Sequence, residues 1–147
     1  PPIVASESGP VRPKPADYKV DTRQFSLEPF GGDVEYKYEL EASATMLYTW
    51  TATGPVNFDF HTEPEGLPPS ASESFERGTA SEGRGSYVAP YAGIHGWFWE
   101  NDEEDVVTVT VTTAGFYRAS KEFRDDGTTS EYPVQDLVPS PQPSPAP

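Results

Sequence analysis

Between Val106 and Thr113 the chain reads VVTVTVTT. Val107, Val109 and Val111 fall on one side of an extended backbone, and Thr108, Thr110 and Thr112 fall on the other. A period of two in residues branched at Cβ demands a half-buried strand, because a helix would scatter the valines round its circumference and restrict their χ1 angles. The same alternation recurs along the chain. Val34–Leu40 sets Val34, Tyr36, Tyr38 and Leu40 against Glu35, Lys37 and Glu39, one side packed and the other wet. Ala44–Thr53 sets Met46, Tyr48, Trp50 and Ala52 on one face; Gly54-Pro55 reads as a turn, and Val56–His61 as the second arm of a hairpin. Tyr18–Glu28 alternates weakly, as an edge strand does.

Further on, Glu63–Glu76 reads as a long polar loop, and Ser74–Gly83 is rich in Ser, Glu and Gly with no element of its own. Gly85–Ala89 and Ile94–Glu100 read as strands joined at Pro90–Gly93, and Phe116–Phe123 closes the series after Ala114-Gly115. About seven to nine short strands at spacings of roughly ten residues, with no amphipathic helix, predict an all-β fold, an antiparallel β-sandwich.

Composition sets the boundaries. Ten of the 17 prolines lie in Pro1–Pro15 and in the last nine residues, whereas Trp50, Trp97 and Trp99 all lie between Tyr18 and Phe123. The expected organisation is a Pro-rich disordered leader over 1–17, a β-sandwich domain over 18–124, and a disordered acidic, Pro/Ser-rich tail over 125–147. A stalk of this kind suits a domain lifted off a membrane by an anchor outside this fragment. The chain holds 24 acids and 10 bases, a net charge of −14. Such a surface repels phosphate backbones, which excludes nucleic acid as a partner. The absence of cysteine removes thiolate chemistry, disulfides and Cys-ligated zinc.

Few residues are placed to do chemistry. The chain has no Gly-x-Ser-x-Gly elbow and no phosphate-binding glycine loop, so no catalytic residue is assigned and no enzyme is expected. His61 precedes Glu63, and His95 precedes Glu100. If both strands were neighbours, His61, His95, Glu63 and Glu100 would supply two imidazoles and carboxylates to a transition metal. That set is the alternative; the primary expectation is no resident metal and no cofactor, since a tight Cys-free site needs both histidines to converge. The acidic runs Glu100–Asp105 and Asp125-Asp126-Gly127 lack the alternating oxygen ligands of a calcium loop and read as solvated turns. His95, Trp97 and Trp99 share one stripe, Ile94 and Phe98 the other. If the first faces outward, it is a candidate binding surface.

In order and punctuation, residues 45–117 resemble the GOLD domain, a jelly-roll-like β-sandwich of the early secretory pathway. The matching residues are Thr53-Gly54-Pro55-Val56, Gly85-Ser86-Tyr87-Val88-Ala89-Pro90, Gly93–Asn101 with its aromatic run, and the Val107/Val109/Val111 strand. Phe58-Asp59-Phe60-His61 and His95-Gly96-Trp97-Phe98-Trp99 are similar to bacterial, membrane-anchored GOLD-like proteins. The resemblance implies a non-enzymatic, extracytoplasmic scaffold or protein-interaction domain, periplasmic or at the cell surface, with a protein partner. The alternative expectation is a periplasmic metal-binding domain using His61 and His95.

Overall fold

Nine antiparallel strands run through the described residues: β1 (Lys19–Leu27), β2 (Gly32–Leu40), β3 (Thr45–Pro64), β4 (Glu73–Val88), β5 (Gly93–Asn101), β6 (Val107–Gly115), β7 (Ser120–Phe123), β8 (Thr129–Tyr132) and β9 (Gln135–Asp136). The structure, a computed structural model, describes residues 9–132 and 135–136. Among these the one helical element is a 3-10 turn at Pro69–Ala71. The all-β expectation holds. Val107, Val109 and Val111 of β6 are buried, while Thr108 and Thr110 are half-buried and Thr112 is exposed. Each buried valine contributes about 1.5–3 kcal/mol by leaving water.

The strand order is β8-β7-β2-β5-β3-β6-β1-β9, with β4 on the other side of β3. β3 organises the whole sheet. Its first part pairs with β6 from Met46 to Ala52, and its second pairs with β5 from Asn57 to Pro64. β4 follows β3 along both parts, with a register shift between Thr51 and Val56. Gly54-Pro55 is therefore not a hairpin turn, as the sequence led us to expect. It lies in an irregular stretch inside one long strand, a place where proline and glycine are tolerated because ladder pairing is already interrupted.

The sheet curls so that β1 and β6 face β2 and β5. Phe25 lies 5.0 Å from Tyr36 and 6.1 Å from Trp99, centroid to centroid, and Trp50 lies 5.8 Å from Trp99. The Tyr36 and Tyr38 hydroxyls both donate to the Asp21 carboxylate, at 2.6 and 2.9 Å, which answers the hydrogen-bonding need of three buried polar groups.

The polar stretch after Glu63 forms far more strand than its composition suggests. β3 runs on to Pro64 and β4 begins at Glu73, so the expected loop shrinks to residues 65–72. Three glycines explain why. Gly85, Gly83 and Gly78 stand opposite Tyr48, Trp50 and Phe58 in the ladder. A Cβ at any of these positions would press on the facing ring, so each ring lies across its glycine. The strand is specified by aromatic partners on β3, which cover glycines that weaken β4 on its own. β4 and β5 flank β3 on opposite sides, so Pro90–Gly93 joins strands that do not pair with each other.

Pairing also runs beyond the expected domain boundary at 124. β8 pairs with β7, and the Tyr132 ring lies 3.7 Å from the Arg23 guanidinium. On the N-terminal side, Lys14 Nζ donates to Ser43 O at 2.9 Å. The rest of the expected Pro-rich arms, residues 1–8, 133–134 and 137–147, lies outside the described residues.

Candidate functional site

The outward side of the β2-β5-β3 wing brings together Glu35, Lys37, His61 and Glu63. In the ladder Lys37 stands opposite Gly96, and Gly96 opposite His61. A Cβ at 96 would collide with the backbone of Tyr36 and Lys37, so this position excludes every other residue. With no side chain between them, Lys37 reaches across β5 and donates from Nζ to His61 O at 3.0 Å. Lys37 is fully buried even though it sits on the face that the sequence marked as wet. Burial lowers its ammonium to about 8, against the opposing pull of Glu35, Glu63 and Asp59.

Glu35 and Glu63 converge on His61. Two residues apart on β3, His61 and Glu63 point the same way, and Glu35 approaches from β2. His61 Nε2 lies 3.9 Å from Glu35 Oε2, and one donor atom from each of the three residues falls within 4.8 Å of the others. His61 Nδ1 lies 3.4 Å from Asp59 O. Burial, followed by the neighbouring Lys37 charge, lowers the His61 pKa, so the ring is neutral at pH 7. A neutral imidazole beside two carboxylates is a metal-ligating combination.

The other residues singled out from sequence lie elsewhere. His95 stands opposite Thr62, one residue out of phase with His61, so the two imidazoles occupy opposite faces of the sheet. The set His61, His95, Glu63 and Glu100 therefore does not assemble. Glu100 stands opposite Asn57 and accepts from Asn57 Nδ2 at 3.3 Å, four residues along β3 from His61. His95 is 0 % exposed, with its Nδ1 2.7 Å from the Tyr87 hydroxyl. Burial, with the Lys37 charge acting in the same sense, brings its pKa down to about 4.

Trp97 and Trp99 are 2 % and 0 % exposed, which corrects their assignment, with His95, to a binding surface. Trp97 packs 4.9 Å from Phe60 and 5.0 Å from Tyr48. The stripe with more aromatic area faces inward because its burial removes more surface from water, leaving Ile94 and Phe98 outward and half-buried.

At one end of the sheet, Phe30 projects beside the acidic turn 102–105. It is 79 % exposed and its φ is +60°, a conformation that crowds the Cβ of any residue but glycine. The turn is held firmly. Phe30 N donates to Glu103 O at 3.0 Å, and Gly31 N to Asn101 O at 2.6 Å. The buried Asn101 side chain donates to Leu27 O at 3.1 Å and Asp105 O at 2.8 Å, and accepts from Glu103 N at 2.9 Å. Asp102, Glu103, Glu104 and Asp105 are all exposed around it.

Sequence reading missed both Glu35 and Phe30. For Phe30 a signal exists: a large aromatic inside Pro29-Phe30-Gly31-Gly32 has no apolar neighbour in a turn to bury it. Gly96 at the centre of an aromatic strand marks a close approach from the neighbouring strand, which is that of Lys37; for Glu35, opposite Phe98, spacing carries no signal. Comparison with protein-family models and with curated proteins finds no match.

Proposed function

We propose that the chain is a non-enzymatic protein-binding module whose docking end is the Phe30 tip. The observation that carries this is a phenylalanine left largely exposed and held at positive φ. Strain of about 1–2 kcal/mol at an exposed residue contributes nothing to the core, and such strain collects at sites of recognition. Buried aromatic anchors dominate binding energy at interfaces, and the four acids of the neighbouring turn add charge around this one. The partner that fits is a protein presenting an apolar socket ringed by Lys and Arg. The GOLD-like order of motifs supports a jelly-roll sandwich of the extracytoplasmic kind, tethered through an anchor outside this fragment.

An array of synthetic peptides graded in basic and apolar content tests the tip. Binding should select peptides with an apolar anchor flanked by Lys or Arg. It should weaken about tenfold or more in Phe30→Gly and in the double variant Asp102→Lys with Glu104→Lys. Phe75→Ser, on β4, should bind as the parent does. Phe30→Gly should keep or slightly raise the melting temperature, because glycine relieves the strained φ. Absence of binding, or binding equally strong in Phe30→Gly, refutes the proposal.

A further inference from the structure

The grouping of Glu35, His61 and Glu63 has features that an ordinary surface salt-bridge cluster lacks. His61 Nε2 and Glu35 Oε2 are 3.9 Å apart, too far for a hydrogen bond but close enough to share a ligand. With Nδ1–H donating to Asp59 O, Nε2 presents its lone pair toward Glu35, and a cation between the two would add to the compensation that the neighbouring Lys37 ammonium gives the carboxylates. Ligand distances of about 2.0–2.2 Å in tetrahedral geometry separate neighbouring donor atoms by roughly 3.4 Å. The three donor atoms already lie within 4.8 Å of one another, so closure takes only small side-chain adjustments. His61 Nδ1 faces Asp59 O at 3.4 Å, the backbone partner that turns the other ring nitrogen toward a metal.

The scaffold beneath is rigid. The backbone positions of all three ligands are set by strand pairing on β2 and β3, with β5 between. Gly96 is the only residue type that lets the two outer strands communicate at this point. Access from solvent is retained, with the side chains of His61 14 % and Glu35 34 % exposed.

We infer that Glu35, His61 and Glu63 form a binding site for a divalent first-row transition ion of the zinc class, completed by water. One imidazole with two carboxylates suits zinc or manganese, whereas calcium demands six to eight oxygens. The sequence tied a metal site to convergence of both histidines. Glu35, reaching diagonally across β5 from its place opposite Phe98, replaces the second histidine.

The test is calorimetry of the metal-free domain with zinc chloride alone, at about 0.15 M salt, where diffuse attraction to the acidic surface is screened. One-to-one binding is expected, weakened about tenfold or more by His61→Ala and by Glu35→Gln, and unchanged in His95→Gln and Glu100→Gln. Cobalt should give ligand-field bands in the visible that are lost in His61→Ala, a readout that a change in stability does not move. Thermal melts of each variant confirm the fold before binding is scored. Absent binding, binding that tracks ionic strength, or equal affinity in Glu35→Gln and the parent overturns the inference. The Phe30 proposal is unaffected by that result, since its variants and its probe are different.

Discussion

Lowering the pH from 7 to 5 should remove about 2 kcal/mol of stability through one side chain, His95. In the folded protein its ring is enclosed by Tyr87 and Tyr91, with centroids at 5.4 and 5.8 Å, and Tyr38 and Thr62 stand opposite it on β2 and β3. Burial holds its pKa at about 4, against an ordinary value of 6.5. The unfolded chain therefore takes up a proton at higher pH than the folded one. The stability is fully present above pH 6.5 and is lost as the pH falls toward 4. With those two values, linkage gives about 2 kcal/mol between pH 7 and pH 5, and a limit near 3 kcal/mol. Urea unfolding reads this directly, since 2 kcal/mol moves the midpoint by about 1 M in a domain of this size. The comparison is with His95→Gln, which cannot titrate, both in a His61→Gln background that removes the second histidine. Carboxylates contribute equally to both proteins. Equal pH slopes, or an imidazole NMR titration of His95 centred near 6.5, would show the reasoning to be wrong.

Three further outcomes follow from the packing. Val109→Asp should cost more than about 4 kcal/mol and leave no cooperative melt, because it places an unpaired charge at a fully buried position; Thr110→Asp, one residue on and outward, should stay within about 1 kcal/mol of the parent. Gly83→Ala should cost about 1–3 kcal/mol by differential scanning calorimetry, since the new methyl meets the Trp50 indole and Trp50 is 2 % exposed. Ending the chain after Arg124 should lower the melting temperature relative to ending it after Tyr132, by the equivalent of about 1 kcal/mol or more. The shorter chain loses the pairing of β8 with β7 and the stacking of Tyr132 on Arg23.

What was legible in the sequence is what is local. The Val/Thr alternation of β6 and the Val34–Leu40 pattern of β2 need no partner to be read, and both lie where the alternation put them. Gly54-Pro55 was ambiguous in principle, because the same dipeptide serves a turn or an interruption within a strand, and the choice depends on which strands dock beside it. β4 was hidden because glycine and serine carry no β signal; its specification resides in Tyr48, Trp50 and Phe58, 20 to 37 residues away from the glycines they face across the ladder. The stripe of His95, Trp97 and Trp99 was read correctly as a stripe, but parity alone does not say which side is inward. The meeting of Glu35 with His61 depends on β5 lying between β2 and β3, an arrangement that spacing along the chain does not encode.

β3 leaves the ribosome long before the strands that complete it. Its partner β4 follows after a short loop, but the opposite side of β3 stays open until β5 and then β6 have been made. The first long pairing available to the growing chain is thus the β3–β4 ribbon, closed by little loop entropy and seated by three rings over three glycines. During that interval Trp50, Phe58 and Phe60 sit on a ribbon with an unpaired edge, the situation in which nascent sheets associate with one another. Glu73, Glu76, Glu82, Arg77 and Arg84 all lie on β4, and they give the half-made ribbon charge along one strand while the other waits. The polar composition that disguises β4 as a loop thus also sets charge beside the aromatic rings of the unfinished ribbon, as strands that must wait for a partner require.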